Sequence, residues 1–408
     1  MKKLIVLSIA LFLAMPTWAQ SPKSAENLIF NKDQVLFLAD SYGGQIFAYP
    51  LKEAAQKEPV SYNVRSLDSK LADALGTSRD KISIKDLAVN PISKNAYVAV
   101  HKTVGKKVYP LVVKVSPNGK VSNFDLSKNA HTSYAVNDAP KTDLVFWKEQ
   151  SLRSMTFTDM DYHNGKLYVA GTSNADFDAS LRVINYPFRK GKQNTTTLEV
   201  YHAVHNQMET RSPIQTLDIV NLAGEDYVLA VYTCTPLVLF PLEDVNRGGH
   251  LKGKTIAELG YGNTPLDIKS FSAQDAQGNV NEVSLIINKS RGPMLINKTE
   301  LEASAKKDGL STPAGFNAAG TPFWQPAIGG VYQLEDLDAA HLLTLRRNVE
   351  NGETEMMSYM KGFYFRLTDH VSDYIYPDYQ YTEAGEMWRP VQNMLKIDEG
   401  YPETVVNK

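Results

Sequence analysis

The residues of this chain best equipped for chemistry are a pair of histidines, one cysteine and a set of arginines. His202 and His205 stand three apart in YHAVHNQMETR, and Cys234, the only cysteine of 408 residues, sits in the polar break Thr233-Cys234-Thr235-Pro236. On an extended strand, residues three apart point to opposite faces, so a shared metal ion needs a turn between the two histidines. With Cys234 beside them, His202 and His205 make a soft donor set for Cu or Zn. The plainer readings are loop histidines without a ligand and a cysteine that only packs. A reactive thiol would need its pKa lowered by a neighbour such as Arg211.

Arg211, Arg291, Arg346 and Arg347, with Lys102, Asn174, Asn288 and Thr235, offer a second chemistry. Paired guanidinium N–H groups match the planar or tetrahedral oxygens of a carboxylate, sulfate or phosphate. The competing expectation is that these arginines pair with Asp40, Asp86, Glu209 or Asp267 and hold the fold together. An enzyme at the same place would use His101, His202 or His205 as base and Tyr42 as acid. Arg211 or Arg291 would then neutralise a carboxylate or oxyanion, as in a lyase or a lactonase-type hydrolase. Asp86, Asp159, Asp218 and Asp267 recur in KDLAV, TDMDY, TLDIV and PLDIK. They read as caps of turns, or as a ring of oxygen ligands for Ca²⁺. No Gly-rich phosphate loop, zinc-protease helix, nucleophile elbow or haem-attachment motif occurs, which removes several familiar enzyme classes.

These residues fall at the bends of short β-branched and aromatic runs. Ile214 to Val220, Tyr227 to Tyr232 and Leu237 to Leu242 read as three antiparallel strands. Val35 to Ala39 with Gln45 to Leu51, Ile82 to Val89 with Ala96 to Val100, and SMTFTDMDYHNGKLYVAGTSN repeat the same sentence. Asn90-Pro91, Pro117-Asn118-Gly119 and His163-Asn164-Gly165 are its tight turns. Ser61 to Leu67 is expected to supply an outer strand. Glu300 to Phe323 reads as a surface insertion with a short helix at Glu300 to Lys307.

Units of three to four antiparallel strands recurring at roughly 50 to 70 residues predict an all-β fold, a β-propeller. The count is six blades, with a seventh hidden in Ala130 to Lys148 or in the tail as the alternative. Stretches such as LFLADS with GQIFAY and KDLAVNP with NAYVAV resemble exported bacterial propellers of the NHL/YncE-like kind. That resemblance implies blade architecture and leaves function open, since such propellers bind ligands, act as lactonases or lyases, or carry cofactors. Aligning the units places the loops that bear the residues above around one mouth of a central channel.

The first 19 residues have a two-lysine start, an apolar run from Leu4 to Ala14 and a Thr17-Trp18-Ala19 end. The run is too short to span a bilayer, for which ~20 residues are needed, and reads as a signal peptide. Residues 20–367 are then the propeller as a single domain and 368–408 a tail packed on it, in a periplasmic or secreted protein. A formal net charge of −2 gives no reason to expect nucleic acid or an anionic membrane as partner. The first functional reading is a module binding a small or oligosaccharide anion, with a protein partner open. The alternatives are the lyase or lactonase and a metal-binding redox accessory protein.

Overall fold

The computed structural model of the protein describes residues 21–364, apart from 148–149, 175–177, 190–192, 235, 275–277, 349–350 and 363. The expected signal peptide, the tail and Thr235 therefore lie outside the described residues. Six antiparallel sheets stand around a channel as the blades of a propeller. They are numbered by the chain order of their innermost strands: Asn27–Phe30, Ile82–Val89, Asp159–His163, Ile214–Leu222, Pro265–Gln274 and Val331–Asp336. Among the described residues no helix is long and apolar enough to cross a membrane.

A blade exposes an apolar face on each side, and only a neighbouring blade can cover it. The buried residues accordingly form six clusters, one in each gap between blades. Those gaps show that ring order differs from chain order. The innermost strands run blade 2, 1, 3, 4, 5, 6 and back to 2. Phe37 of blade 1 packs with Val169 of blade 3, and Val98 of blade 2 with Leu343 of blade 6.

Two outer strands produce this order. After the three inner strands of blade 1, Asn63–Val64 crosses to the edge of blade 6, pairing with Met356 and Met357. The chain then builds blade 2 whole and returns with Thr132–Ala135 to finish blade 1. The strand expected at Ser61 to Leu67 is thus shorter than foreseen and closes the last blade. Leu67 instead opens helix α1 (Leu67–Ala74), whose Leu67 and Leu71 are buried between blades 2 and 6. Between Ala130 and Lys148 there is no seventh blade: the described part holds the Thr132–Ala135 strand and one arm, Val145–Trp147, of a small hairpin. In the insertion the expected helix lies at Lys298–Ala305, and Ala319–Gly320 adds a short edge to blade 4.

Side chains of the innermost strands tie the ring shut. Asp86 of blade 2 accepts the backbone N–H of Leu28 in blade 1 at 2.6 Å, and Asn27 there donates to Thr158 O before blade 3 at 2.9 Å. Asp159 accepts from Leu217 N (2.7 Å) and Thr216 Oγ1 (2.8 Å), and Asp161 from Ile219 N. Asp218 accepts from Ser270 N at 2.5 Å, and Asp267 from Leu334 N at 2.8 Å. The last link, from Gln333 to Lys85 O, is long at 3.5 Å. The aspartates expected to cap turns or bind Ca²⁺ are therefore blade-to-blade clamps. Their second oxygens are engaged as well, for Met160, Ile219 and Ile268 N–H bond to Oδ1 of Asp159, Asp218 and Asp267. Among the described residues, these carboxylates do not gather three ligand oxygens around one point.

Asp159→Ala should strand the Leu217 and Thr216 donors in a buried place and destabilise the fold by about 2–4 kcal/mol. Urea unfolding followed by tyrosine and tryptophan fluorescence reads this. A loss under about 0.5 kcal/mol would show that the clamp is dispensable.

Candidate functional site

Four innermost strands carry a β-bulge where they enter the ring, at Lys85, Gln215, Leu266 and Tyr332. A bulge turns its extra residue out of the sheet register. All four side chains line cavities. Lys85 and Gln215 face the channel itself, a space of about 290 Å³ that also meets Glu26, Asp86, Asp159 and Gln333. Leu266 and Tyr332 line a larger cleft of about 1040 Å³ between blades 5, 6 and 2.

Four cations border that cleft, Arg79, Lys289, Arg291 and Arg347, together with two acids, Asp68 and Asp80. Its floor is apolar, with Ile84, Leu266, Ile287, Val331 and Tyr332. Arg79 is held by Asp68 at 2.8 Å and Glu353 at 3.4 Å. Arg291 donates to Tyr261 O at 3.0 Å and lies against Gly260, where a Cβ would meet its Cζ at 2.6 Å. Gly260 has φ +106°, so this close approach and its backbone both require glycine. Arg347 donates to Gly352 O at 3.0 Å and lies 6.0 Å from the centre of the Tyr332 ring. Among the described residues, neither Arg291 nor Arg347 has a carboxylate partner. The carboxylates expected to pair with arginines are engaged otherwise: Asp40, Asp86 and Asp267 accept backbone N–H groups, and Glu209 serves histidines.

Of the expected anion-binding set, Arg291 and Asn288 line the cleft. Arg346 is buried, 3.2 Å from Glu355 and donating to Tyr359 Oη at 2.7 Å. Lys102 caps α1 through Leu75 O at 2.6 Å. Arg211 is exposed near Asp178, whose carboxyl it pulls down against a larger upward push from burial, and Asn174 is exposed beside blade 3. Arg79 was missed by sequence reading because it lies in a polar link that carries no strand pattern.

The acid–base constellation is not assembled. His101 accepts a hydrogen bond from Ala25 N at 3.0 Å, and burial followed by the nearby Lys85 charge pushes its pKa down to about 4. It is a latch for the N-terminal segment. Tyr42 is exposed on blade 1, with its backbone bonded to Ser24 and Arg153. Among the described residues no histidine lines the cleft. His202, His205 and Cys234 do meet, however, in the crevice between blades 3 and 4, with ligand atoms all within 4.8 Å of one another. They stand far out along the blades rather than at the channel, since His202 ends the fourth strand of blade 3, Gln193–His202.

No family model matches this chain, and no curated protein matches it in sequence. Solved structures match it only loosely. A Drosophila plexin A in complex with semaphorin 1b is 10% identical over 84% of this chain and 88% of that chain, with a TM-score of 0.37. Drosophila semaphorin 1a is 9% identical over 87% and 88%, with 0.36. Kuenenia stuttgartiensis hydrazine synthase is 11% identical over 87% and 100%, with 0.33. Likenesses this loose carry no argument, and the propeller rests on the sheets themselves. What stands is a β-propeller, without sequence support for the NHL/YncE-like assignment.

Below the cleft the channel narrows to a space of about 30 Å³ among Asp86, Asp159, Asp161, Asp218, Asp267 and Glu335, room for about one water. Burial raises the pKa of Asp159 to about 6 and, with the charge of Asp161, that of Asp218 to about 7. Lys269, 3.2 Å from Glu335, is the one cation lining that layer among the described residues. Acids whose folded pKa is raised stabilise the fold fully below their unfolded value near 4 and lose that contribution as pH rises through 6 and 7. His101 acts in the opposite sense, its contribution present above 6.5 and lost as pH falls towards 4. The difference between variants isolates Asp218: from pH 4.5 to 8, Asp218→Asn should show a thermal midpoint that falls less, or rises more, than the wild type's. Parallel profiles would remove Asp218 from the titration.

Proposed function

We propose that the protein is an exported binding module for an anionic ligand, seated in the cleft between blades 5, 6 and 2. The observation that carries this reading is the cleft's composition. Four cations against two acids, Asp68 and Asp80, surround an apolar floor, and Arg291 and Arg347 are the cations held by backbone carbonyls rather than by a carboxylate. A site of about 1040 Å³ exceeds what a lone sulfate or phosphate fills, and matches a ligand of several rings or residues. Guanidinium groups held by backbone carbonyls keep their remaining N–H groups for a carboxylate or sulfate. The apolar floor and Tyr332 suit the faces of sugar rings, so an acidic oligosaccharide such as an oligo-uronate is the proposed ligand class.

Calorimetric titration with oligo-uronates, sulfated oligosaccharides and their neutral counterparts tests this. Arg291→Ala and Arg347→Ala should each weaken binding of the charged ligand by about tenfold or more, since a hydrogen bond to a charged group contributes about 1.5–3 kcal/mol. Arg211→Ala should leave it unchanged, and added salt should weaken it. Equal affinity for neutral and charged sugars would overturn the proposal, as would indifference to both arginine substitutions.

A further inference from the structure

We infer that His202, His205 and Cys234 form a binding site for a thiolate-preferring metal ion, Zn²⁺ or Cu⁺, in the crevice between blades 3 and 4. This site is separate from the cleft, whose walls come from other blades.

The crevice is built by an unusual crossing. Gly249–Lys252 runs parallel along the edge of blade 3, and the chain then passes through Gly253 to become the Lys254–Glu258 edge of blade 4. Tyr201 O accepts from Thr255 Oγ1 at 2.7 Å, and Ala203 N donates to the buried Glu258 at 2.7 Å. These bonds hold the turn after His202 against blade 4. The turn continues to the short strand Gln207–Glu209, which folds back on the end of blade 3. His205 is thereby brought over His202, with ring centres 4.0 Å apart, supplying the bend that a three-residue spacing needs to share one ion. Cys234 comes from the turn between the second and third strands of blade 4. It holds φ +65°, a conformation that costs a non-glycine residue strain. Its N–H donates to Asn263 O at 2.9 Å, which fixes that turn.

The independent pointer to a ligand is His202. It is 1% exposed, and neither ring nitrogen has a well-aligned hydrogen bond, although Glu209, Glu258 and the Cys234 backbone lie close around it. Nδ1 lies 3.0 Å from Glu209 Oε1 but off the line of a hydrogen bond, and Nε2 is 4.0 Å from Glu258 Oε2. A buried imidazole without a well-aligned hydrogen bond is costly, and coordination to a metal would satisfy it. His205 Nδ1 is 2.6 Å from Glu209 Oε1. A carboxylate on one ring nitrogen fixes the tautomer and leaves the other as the ligand atom, the usual arrangement of metal-binding histidines. The His205 side chain is 42% exposed, which gives an ion a path from solvent. One thiolate and two imidazoles suit Zn²⁺ or copper and disfavour Ca²⁺ and Mg²⁺, which take oxygen ligands. Glu209 is the fourth group, as outer partner or as ligand.

The test uses the full chain, stripped with chelator and titrated with Co²⁺ as a spectroscopic probe, followed by displacement with Zn²⁺ and Cu⁺. One equivalent should bind, with a thiolate-to-cobalt charge-transfer band and the intense visible bands of a tetrahedral ion. Cys234→Ser should abolish the charge-transfer band. His205→Ala, at a half-exposed position that the fold tolerates, should weaken Co²⁺ binding by more than the ~10–100-fold expected for Glu209→Gln as an outer partner. Stoichiometric binding without a thiolate band, indifference to His205→Ala, or no stoichiometric binding would each overturn the inference.

Discussion

The innermost strands of a propeller meet its channel along edges whose backbone N–H groups have no ladder partner. Near the axis the six edges are close but splayed, so they cannot pair with one another, and buried donors must be satisfied by something else. Here that something is a carboxylate from the preceding blade in four of the six links, while in the other two the Asn27 and Gln333 amides donate to backbone carbonyls. Crowding acidic groups at the axis follows from this solution. Desolvation and mutual repulsion raise their pKa values, and Lys269 offsets only part of the charge. The channel floor is consequently a closed structural layer with room for about one water. Within the channel, a ligand larger than a water has room only toward the mouth, beside the bulged residues Lys85 and Gln215. The clamps therefore help to decide where function can reside.

The out-of-sequence placement of blade 2 has a comparable consequence. By crossing to the edge of blade 6 before building blade 2, the chain brings the 79–84 segment beside residues 288–293 and 328–332. Arg79 thus meets Arg291 and Arg347, which a strictly sequential ring would have placed elsewhere. The helix α1 that makes this crossing is short, eight residues, and gains its stability from Leu67 and Leu71 packed between two blades rather than from intrinsic propensity.

Hairpins, tight turns and the blade repeat were legible in the sequence because each depends on local alternation and on turn residues such as Asn164-Gly165. The partner of an outer strand was not, since Asn63–Val64 contributes two residues and its pairing with Met356 and Met357 spans the whole chain. Neighbouring arginines show the same limit. Arg346 and Arg347 point to opposite faces of one strand, so one is buried against Glu355 and Tyr359 while the other borders the cleft. Alternation predicts that the two differ, but not which side meets a blade. Arg182, fully buried and held by Asp138, Thr156 O and Thr172 O, carried no signal at all, because its partners come from three separate segments. The meeting of His202, His205 and Cys234 was foreseeable only through the blade alignment, which brought the two loops near one another without giving the turn.

A gap between blades is ordinarily filled by apolar side chains, and the gap between blades 3 and 4 is so filled over most of its depth by Leu181, Val183, Ile214, Leu217 and Val238. Its outer end departs from that rule. There the strand pairing changes from antiparallel to parallel, two acids and two histidines replace hydrophobes, and a cysteine is held at positive φ. A buried imidazole that meets Glu209 and Glu258 without a well-aligned hydrogen bond is poorly satisfied, and the strained turn of Cys234 adds a second cost. Neither feature improves the packing of the seam, whose hydrophobic part is complete without them. Local structure that opposes stability and adds nothing to the core is best explained by a ligand whose binding compensates both terms. That energetic argument, more than the proximity of three donor atoms, separates this corner from the other polar edges of the propeller.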